Sequence, residues 1–357
     1  MRVLLLPVNI ASDISHKVRS LRKIGVDARG FSIAESAIQT AEEVRFFSLD
    51  YTAGKIAKLR RMKTFAEMWR LIAWADILHW IADANVFAEK WNYKFLRWIN
   101  KPGVVQWMGS DIRVPEIDFP ENPFYRRAFE DGYEYSQTES AAISRANQLF
   151  AVGLDFYPLE FVGLGQFIDS QLFPKRFRTW QSIVLSEHEP RFPDAAKHKP
   201  LVIHSPSAPV AKGTKYVLRA VENLKTKYDF DFKLVQNLKR REALKIMSEC
   251  DVYVDQLILG AHGYAAVEAM AFGKPVVCYI NPFAGKDYPA DLPIVNGNPD
   301  NIEDILENLI ADAQLRHETG RKSREYVEKY HDDRKIAREL AEIYKEVVDL
   351  HKKRGKK

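Results

Sequence analysis

Cysteine is scarce in this sequence, and its scarcity excludes two kinds of protein. The 357 residues include only two cysteines, Cys250 and Cys278, both at the edges of apolar segments. A disulfide framework and a cysteine-rich metal site are therefore excluded, and we expect two reduced core residues. The nine histidines form no pair at i, i+4 beside an acid and show no zinc-ligand spacing. The sequence predicts no dedicated metal site.

A strong charge of either sign is missing as well. The chain has 53 lysines and arginines against 48 aspartates and glutamates, a formal net charge of +5. This excess is too small to indicate nucleic-acid binding by itself, and we expect no nucleic-acid partner. The apolar fraction of 46% is typical of a globular protein. The length favours two domains of about 150 residues each.

Long hydrophobic runs are also lacking. The apolar run at 1–8 is short and broken by Pro7, which favours a first buried strand over a signal peptide. Around 65–88, Arg70 and Asp76 interrupt the apolar stretch well before the ~20 residues that a membrane span needs. These features predict a cytoplasmic protein, with peripheral attachment to the inner membrane face left open.

Strand-like and helix-like segments alternate in both halves of the chain. Such alternation predicts parallel sheets covered by helices on both faces, and hence an α/β fold with two Rossmann-like, doubly wound domains. A final helix from about residue 333 to 352 has apolar residues at helical spacing. The predicted elements before it are 2–6, 14–23, 26–31, 44–49, 53–73, 77–79, 86–99, 104–107, 148–152, 201–205, 214–226, 232–235, 240–248, 251–254, 276–280, 301–311 and 314–329.

The stretch 262–277 joins a glycine turn, a short helix with one acid and a helix stop before a buried strand. Gly263 frees the backbone at the helix start, where amide N–H groups without intrahelical partners can bind a phosphate. Glu268 lies about one turn further on, where a carboxylate can accept hydrogen bonds from a vicinal diol such as ribose. A helix that only packs its apolar face in the core would not account for Gly263 and Glu268 together.

The run from Glu268 to Val276 resembles the signature of the retaining glycosyltransferases of family 4, also called glycosyltransferase group 1. In that family the helix start binds the diphosphate of a sugar nucleotide, and the acid that matches Glu268 binds its ribose. The family pattern has another acid eight positions earlier, where this chain has Gly260. The sequence leaves recognition of the donor sugar unexplained.

The resemblance implies the GT-B fold, in which two Rossmann-like domains face a cleft. It assigns 1–170 to an N-terminal acceptor domain and 171–332 to a C-terminal nucleotide-sugar donor domain. It assigns 333–357 to a helix that packs back on the N-terminal domain, followed by a basic tail. The segment 167–174 resembles the interdomain connection of the family.

Lys212 and Gly213 follow a predicted strand and open a predicted helix, the place where open α/β sheets bind ligands. By resemblance this Lys-Gly pair contacts phosphate, and Lys212 would neutralise a leaving diphosphate. Taken alone, Lys212 is better interpreted as a solvated lysine at a helix start, and its position relative to Glu268 in the family pattern favours the phosphate contact instead. The family's arginine upstream of the pair is missing, and three residues of the next loop are candidates to replace it: Lys239, Arg240 and Arg241.

Two polar residues near the signature have alternative interpretations. Asp255 closes a predicted strand, where it either replaces the acid missing at Gly260 or caps a loop. His262 either reaches a phosphate or sugar or is a solvated turn histidine. The predicted nucleotide-sugar site comprises His204, Ser205, Lys212, Gly213, His262, Gly263, Tyr264, Ala265 and Glu268.

In the first domain, the strand end at His79 and the segment 106–113 resemble family segments, the second of which usually contains His-Gly-Ser-Asp. The family's histidine is Met108 here, whose thioether cannot donate a proton. Asp111 either binds sugar hydroxyls or caps a turn. The candidate catalytic residues are Lys212, Glu268 and Asp111, and the candidate sugar or acceptor contacts are Asn9, His79, Gly109, Ser110 and Asp255.

A basic amphipathic helix is predicted around 54–72. Such a helix either lies on an anionic membrane surface or packs on the sheet with a solvated basic face. The run 352–357 adds positive charge or is a frayed tail. The helix has six basic residues against Glu67 and an apolar stripe: Lys55, Lys58, Arg60, Arg61, Lys63 and Arg70, with Ile56, Leu59, Met62, Phe65 and Trp69.

These features predict a metal-independent glycosyltransferase that moves a sugar from a nucleotide diphosphate donor to a glycan or lipid-linked acceptor with retention. No cofactor beyond the donor substrate is expected. The alternative is a degenerate GT-B protein that binds nucleotide sugar or glycan without transfer, because Gly260, Met108 and the missing arginine depart from the family. A dinucleotide-dependent oxidoreductase is disfavoured, since no Gly-x-Gly-x-x-Gly follows the first strand.

Overall fold

The structure, a computed structural model, describes residues 1–9, 12–33, 44–46, 55–81, 98–109, 122–132, 156–162 and 175–354. All structural statements below concern these residues. The predicted strand at 148–152, the connection at 167–174, Ser110, Asp111 and most of the predicted helix at 86–99 lie outside them.

The first sheet is parallel and has the strand order β3-β2-β1-β4-β5-β6-β7. Residues Val3 to Leu6 of β1 are all fully buried, as expected for a central strand covered on both faces. The order reverses between β1 and β4, which marks the position where α/β sheets form a crevice. The strands are β1 (Arg2–Leu6), β2 (Asp27–Ser32), β3 (Val44–Phe46), β4 (Ile77–Ile81), β5 (Gly103–Gln106), β6 (Phe156–Phe161) and β7 (Phe177–Thr179).

The second sheet is also parallel, with the order β12-β11-β10-β8-β9. Its order reverses between β8 and β10, so the loops that follow these two strands meet at the ligand-binding edge. The strands are β8 (Leu201–His204), β9 (Asp231–Leu234), β10 (Val252–Val254), β11 (Val276–Cys278) and β12 (Val295–Asn296).

Helices cover both sheets. Eight of the eleven described helices lie close to their predicted positions, whereas the short helices Pro123–Glu130, Pro209–Lys212 and Pro282–Gly285 were not predicted. The helix Tyr264–Ala271 buries Ala266, Val267 and Met270 in the core that it forms with the second sheet, as its composition predicts. The described helices are α1 (Asp13–Lys23), α2 (Lys55–Trp74), α3 (Pro123–Glu130), α4 (Pro209–Lys212), α5 (Thr214–Lys225), α6 (Arg240–Glu249), α7 (Tyr264–Ala271), α8 (Pro282–Gly285), α9 (Ile302–Ala311), α10 (Ala313–Tyr330) and α11 (Asp333–Arg354).

The C-terminal helix α11 packs on the first sheet rather than on the sheet that precedes it. Its Leu340 and Tyr344 lie in one core with Val3, Leu5 and Ile14. The two chain segments that cross between the domains run side by side, because Ile183 N donates to His331 O at 2.9 Å and Asp333 N donates to Ile183 O at 3.1 Å. Two adjacent chain segments, around Ile183 and around 331–333, therefore join the domains, and we call them the paired crossing.

Two short elements cross the predicted domain limits. The strand β7, which a boundary at residue 170 assigns to the second domain, pairs with β6 in the first sheet. The helix α3, which the same boundary assigns to the first domain, buries Phe124 and Tyr125 in the core of the second. Asn122 Nδ2 donates to Ile258 O at 2.7 Å and ties the start of α3 to that domain. Apolar side chains, rather than chain order, decide where α3 docks.

The helix α2 leaves much of its predicted apolar stripe exposed. Ile56 is 72% exposed, Leu59 67% and Met62 59%. The residues that α2 buries lie on another face and include Met68 and Leu71. None of the helices in the described ranges is long and apolar enough to cross a membrane.

Candidate functional site

The start of α7 and the end of α4 converge on one carboxylate, that of Asp255. Asp255 follows β10 directly, at the edge where the strand order of the second sheet reverses. Lys212 Nζ donates to its Oδ1 at 2.7 Å, and the backbone N–H of Gly263 donates to its Oδ2 at 3.1 Å. The structure thus brings together Lys212, Gly263 and Asp255, and the carboxylate caps the helix start.

Asp255 is ionised despite its burial. Complete burial by itself raises the pKa of its carboxyl, but the Lys212 charge and the hydrogen bonds from Lys212 and Gly263 outweigh burial and hold that pKa below its usual value. The Lys212 side chain is 13% exposed and that of Asp255 is 0% exposed. Lys212 is therefore the member of the pair that solvent reaches.

Gly213 explains how the chain places Lys212 at this edge. It has φ +74°, in the left-handed region, and it both ends α4 and precedes α5. A Cβ at this position would lie 3.2 Å from Leu257 Cβ and 3.3 Å from Ile258 Cγ1. The Lys-Gly pair is therefore a structural unit in which glycine permits the turn that aims the lysine.

Glu268 is paired with Arg240, the first residue of α6. The two side chains form an ion pair and are only 13% and 14% exposed, respectively. Arg240 is one of the three residues predicted as substitutes for the family's missing arginine, and it lies beside the acid predicted to bind ribose. His188 is close enough for the Glu268 charge to act on it, although burial has the larger effect and lowers its pKa.

His204 is a core histidine. Its Nδ1 donates to Val254 O at 2.9 Å, so Nε2 accepts from the Thr214 hydroxyl at 3.0 Å. Burial lowers its pKa to about 4 and keeps the ring neutral. Both ring nitrogens are used inside the protein, so contact with a ligand would break one of these bonds. Its neighbour Ser205 forms a hydrogen bond with Tyr253 OH at 2.7 Å.

The interpretation of His262 as a solvated turn residue is wrong. It is 4% exposed and packs against Tyr288, with ring centroids 4.9 Å apart. Within the described residues neither ring nitrogen has a hydrogen-bond partner. Burial lowers its pKa to about 4. The ring lies in the core next to the start of α7, where it contacts the rings of Tyr288 and His331.

Tyr264, the first residue of α7, links that helix to the first domain. Its hydroxyl donates to Asp13 in the first turn of α1, and Asp13 also pairs with the buried Lys17. Gln106 Nε2 donates to the other carboxylate oxygen of Asp13 at 3.0 Å. The sequence prediction included the loop 9–13 as a possible acceptor contact and the segment 106–113 as a family resemblance, but it gave no individual role to Asp13 or Gln106 and did not include Lys17.

His79 belongs to the same hydrogen-bond network. Gln106 Oε1 accepts from His79 Nε2 at 2.9 Å, and His79 Nδ1 lies 2.6 Å from the hydroxyl of Tyr344 on α11. Burial lowers the pKa of His79 to about 3, so it is neutral. The predicted contact of His79 with a sugar or acceptor would require it to leave both partners.

Four other residues that the sequence singled out are Met108, Asn9, Gly109 and Ala265. Met108 Sδ accepts from Gln106 Nε2 at 3.0 Å, and Met108 packs, as Tyr264 does, against the cluster of Phe161 and Ala261. Asn9 caps α1, because its Oδ1 accepts from Ile14 N at 3.0 Å. Gly109 has φ +133°, which glycine adopts readily. Ala265 is partly exposed in the first turn of α7.

Gly260 has a structural reason for replacing the family's acid. Its φ is +85°, and a Cβ there would lie 2.8 Å from Asn281 Cβ, which real side chains do not tolerate. An acidic side chain therefore does not fit at this position in this backbone. Among the residues that the structure describes, no group of three or more His, Cys, Asp or Glu is arranged to hold a metal ion.

The second domain also carries a family signature in its sequence. Residues 231–326 match the family of glycosyl transferases group 1. The matched segment contains Arg240, Asp255, Gly263 and Glu268, but Lys212 lies before it. The match confirms the resemblance on which the sequence prediction depends. No curated protein matches the chain in sequence.

Solved structures with this fold align along nearly the whole chain. Sucrose-phosphate synthase from Thermosynechococcus elongatus is 13% identical with a TM-score of 0.64, and the alignment covers 98% of this chain and 100% of that one. The Anabaena protein HepE in complex with UDP is 14% identical with a TM-score of 0.61, over 97% and 100% of the two chains. WaaG, a glycosyltransferase involved in lipopolysaccharide biosynthesis, is 12% identical with a TM-score of 0.60, over 96% and 99%. The predicted GT-B fold is confirmed.

Proposed function

We propose that this protein transfers a sugar from a nucleoside diphosphate donor to an acceptor, with retention and without a bound metal. The observation that carries the proposal is the convergence of Lys212 Nζ and the Gly263 amide on one carboxylate, at 2.7 and 3.1 Å. Two groups that bind one anion in this way can bind a phosphate, since both offer N–H donors and positive charge.

The chemistry that these groups support is departure of a nucleoside diphosphate. Breaking the bond between sugar and phosphate builds negative charge on the phosphate oxygens, and positive groups held in place stabilise that charge. Lys212 supplies a full charge and the start of α7 supplies about half of one. Glu268 would bind the ribose from the same helix, with Arg240 beside it to meet a second phosphate oxygen.

A uridine nucleotide is the first donor to try. The similar HepE was solved in complex with UDP, and also in complex with UDP-glucose. Thermal-shift measurements with UDP, GDP and their sugars should find the base, because a ligand that binds only the folded protein raises its apparent stability. NMR of the product's anomeric carbon then tests retention. An inverted product, or no shift with any nucleotide, would contradict the proposal.

A degenerate protein that binds a nucleotide sugar without transfer is the alternative. It is favoured by the side chains that the cleft lacks, since Gly260 has no room for an acid and Met108 cannot donate a proton. Donor hydrolysis distinguishes the two functions, because an active transferase commonly passes its sugar slowly to water when no acceptor is present. Binding of the donor with no hydrolysis and no transfer would support the alternative.

The exposed face of α2 supports attachment to an anionic membrane surface. Ile56, Leu59 and Met62 are each more than half exposed and lie one turn apart along the helix. Lys58 and Lys63 are exposed on the same helix. Exposed apolar residues flanked by basic ones match the chemistry of a lipid surface with anionic head groups. We propose that the acceptor is reached at such a surface.

A further inference from the structure

The carboxylate of Asp255 lies where a phosphate of the donor would bind. Its two oxygens accept from Lys212 Nζ at 2.7 Å and from the Gly263 amide at 3.1 Å. The proposed function assigns these two donors to the diphosphate, and the present inference rests on that function. We propose that Asp255 competes with the donor's diphosphate for Lys212 and Gly263, and thereby sets the affinity of the protein for its donor.

Burial keeps the Asp255 carboxylate in place as a competitor for the Lys212 and Gly263 donors. The side chain is fully buried, so water cannot replace the hydrogen bonds that Lys212 and Gly263 donate to it. An ionised carboxylate without such bonds is costly in the interior. A phosphate that takes either donor must therefore offset part of that cost, which weakens its binding.

The partial exposure of Lys212 shows how a ligand can still be bound. Its side chain is 13% exposed, whereas that of Asp255 is 0% exposed. An ammonium has three N–H donors, and Asp255 uses one of them. A phosphate oxygen that approaches from solvent can take a second donor, while the negative charge of Asp255 opposes it. Removing that charge should strengthen phosphate binding.

Asp251, at the other end of β10, provides a matched control. Its Oδ2 accepts from Lys197 Nζ at 2.5 Å and from the backbone N–H of Leu201 at 2.7 Å. It is only 4% exposed. Asp251 thus bridges a lysine and a backbone amide as Asp255 does, but it does so away from the start of α7.

The test is calorimetric titration of inorganic pyrophosphate into wild type, Asp255→Asn and Asp251→Asn at one ionic strength. We expect Asp255→Asn to bind pyrophosphate about tenfold more tightly, or about 1.4 kcal/mol, and Asp251→Asn to match wild type. Adding Lys212→Ala to Asp255→Asn should abolish the gain. Equal or weaker binding by Asp255→Asn, the same gain in Asp251→Asn, or no binding by any variant would overturn the inference.

Sugar transfer is assayed separately, so that the two proposals fail independently. Tighter pyrophosphate binding by Asp255→Asn without transfer from any donor would retain the inference and remove the proposed function. Transfer by wild type with no gain in pyrophosphate affinity in Asp255→Asn would retain the proposed function and remove the inference.

If Asp255→Asn does not fold, wild type answers the same question. In protein labelled with ¹⁵N-glycine, the Gly263 amide resonance is assigned by its absence in Gly263→Ala. That variant is tolerable because an added Cβ would lie 3.6 Å from Asp255 Oδ2, an ordinary contact. Pyrophosphate should shift this resonance as it competes with the carboxylate for the Gly263 amide, and an unmoved resonance would overturn the inference.

Discussion

Two ion pairs hold the charged side chains of the candidate site, Lys212 with Asp255 and Arg240 with Glu268. Both cations are largely buried, so neither pair resembles an exposed surface salt bridge of little energetic value. Removing one member of such a pair leaves the other in a poorly solvated position. Substitutions at these residues therefore need readouts of binding and of folding together.

Glu268→Gln should weaken binding of the sugar nucleotide by roughly 1.5–3 kcal/mol, because an amide loses the charge-assisted acceptor that a ribose diol prefers. Donor affinity is measured by calorimetry, with the exposed Glu249→Gln on α6 as the control. Unchanged affinity in a folded Glu268→Gln protein would remove the ribose role and leave Glu268 only as the partner of Arg240.

Lys212→Ala should lower turnover and should also destabilise the protein, because it leaves the buried Asp255 without its cation, while EDTA should leave wild-type turnover unchanged. The lysine meets charge that develops only as the diphosphate leaves, which is a transition-state effect. Turnover is measured for both proteins with and without EDTA, and Lys215→Ala in the neighbouring helix is the control. Loss of wild-type activity in EDTA would refute metal independence, and a fully active Lys212→Ala would remove the phosphate role.

Gly260→Ala should destabilise the protein clearly more than Gly25→Ala. Both glycines have φ +85°, so the two variants share the strain of a left-handed residue, about 1–2 kcal/mol. Only Gly260 adds a contact, because its Cβ would lie 2.8 Å from Asn281 Cβ, whereas Gly25 has nothing within 4 Å. Urea unfolding of the two variants gives the comparison. Equal losses would mean that an acid is absent at residue 260 for another reason.

The sequence pattern predicted the packing of the apolar face correctly for helix α7 but not for helix α2. The apolar residues of α7 pack inward as predicted, but Ile56, Leu59 and Met62 of α2 face away from the protein's core. Helical periodicity identifies an apolar face and does not identify what covers it. For α2 the covering partner has to be found by experiment.

Replacing Lys58, Arg60 and Arg61 by glutamate should reduce co-sedimentation with vesicles that contain anionic lipid. Each basic residue near such a surface contributes about 1 kcal/mol, and salt screens this attraction. Wild type should therefore sediment less as salt is added. The matched control replaces three exposed lysines on other helices, Lys225, Lys245 and Lys322, by glutamate. If wild type does not sediment with these vesicles, α2 is a solvated scaffold helix.

The molecule as a whole carries several buried histidines that are neutral at pH 7. Burial is the largest cause of each lowered pKa, and it brings the values to about 3 or 4. The ring centroids of two of them, His262 and His331, are 5.9 Å apart, and both residues lie beside the paired crossing between the domains. The set comprises His16, His79, His204, His262 and His331.

Stability should fall as the pH drops below about 6.5. An unfolded histidine binds a proton there while a buried one does not, so each contributes up to about 1.4 kcal/mol per pH unit until its folded pKa is reached. Urea unfolding between pH 7.5 and 5.5 measures the slope. His262→Phe should reduce it, because an aromatic ring still packs on Tyr288 but no longer titrates. A slope in His262→Phe equal to that of wild type would contradict this account.

The candidate site was only partly predictable from single residues. The Lys212-Gly213 pair, Gly263 and Glu268 stand at recognisable positions after strands, and the structure places each at the expected sheet edge or helix. Their partners Asp255 and Arg240 were named only as alternatives. Asp13 and Gln106 were given no role, because the network depends on distant residues: Asp13 lies 251 positions from Tyr264 and 93 positions from Gln106.

Local pattern alone determined the alternating strands and helices, the two parallel sheets and the signature helix, since each depends on neighbours within a few residues. Tertiary structure alone decided three other features. It placed α3 in the second domain, buried His204 and His262 in the core, and put Asp255 between Lys212 and the start of α7. The physical reason is that burial and charge pairing depend on which distant segments meet, and no short stretch of sequence contains that information.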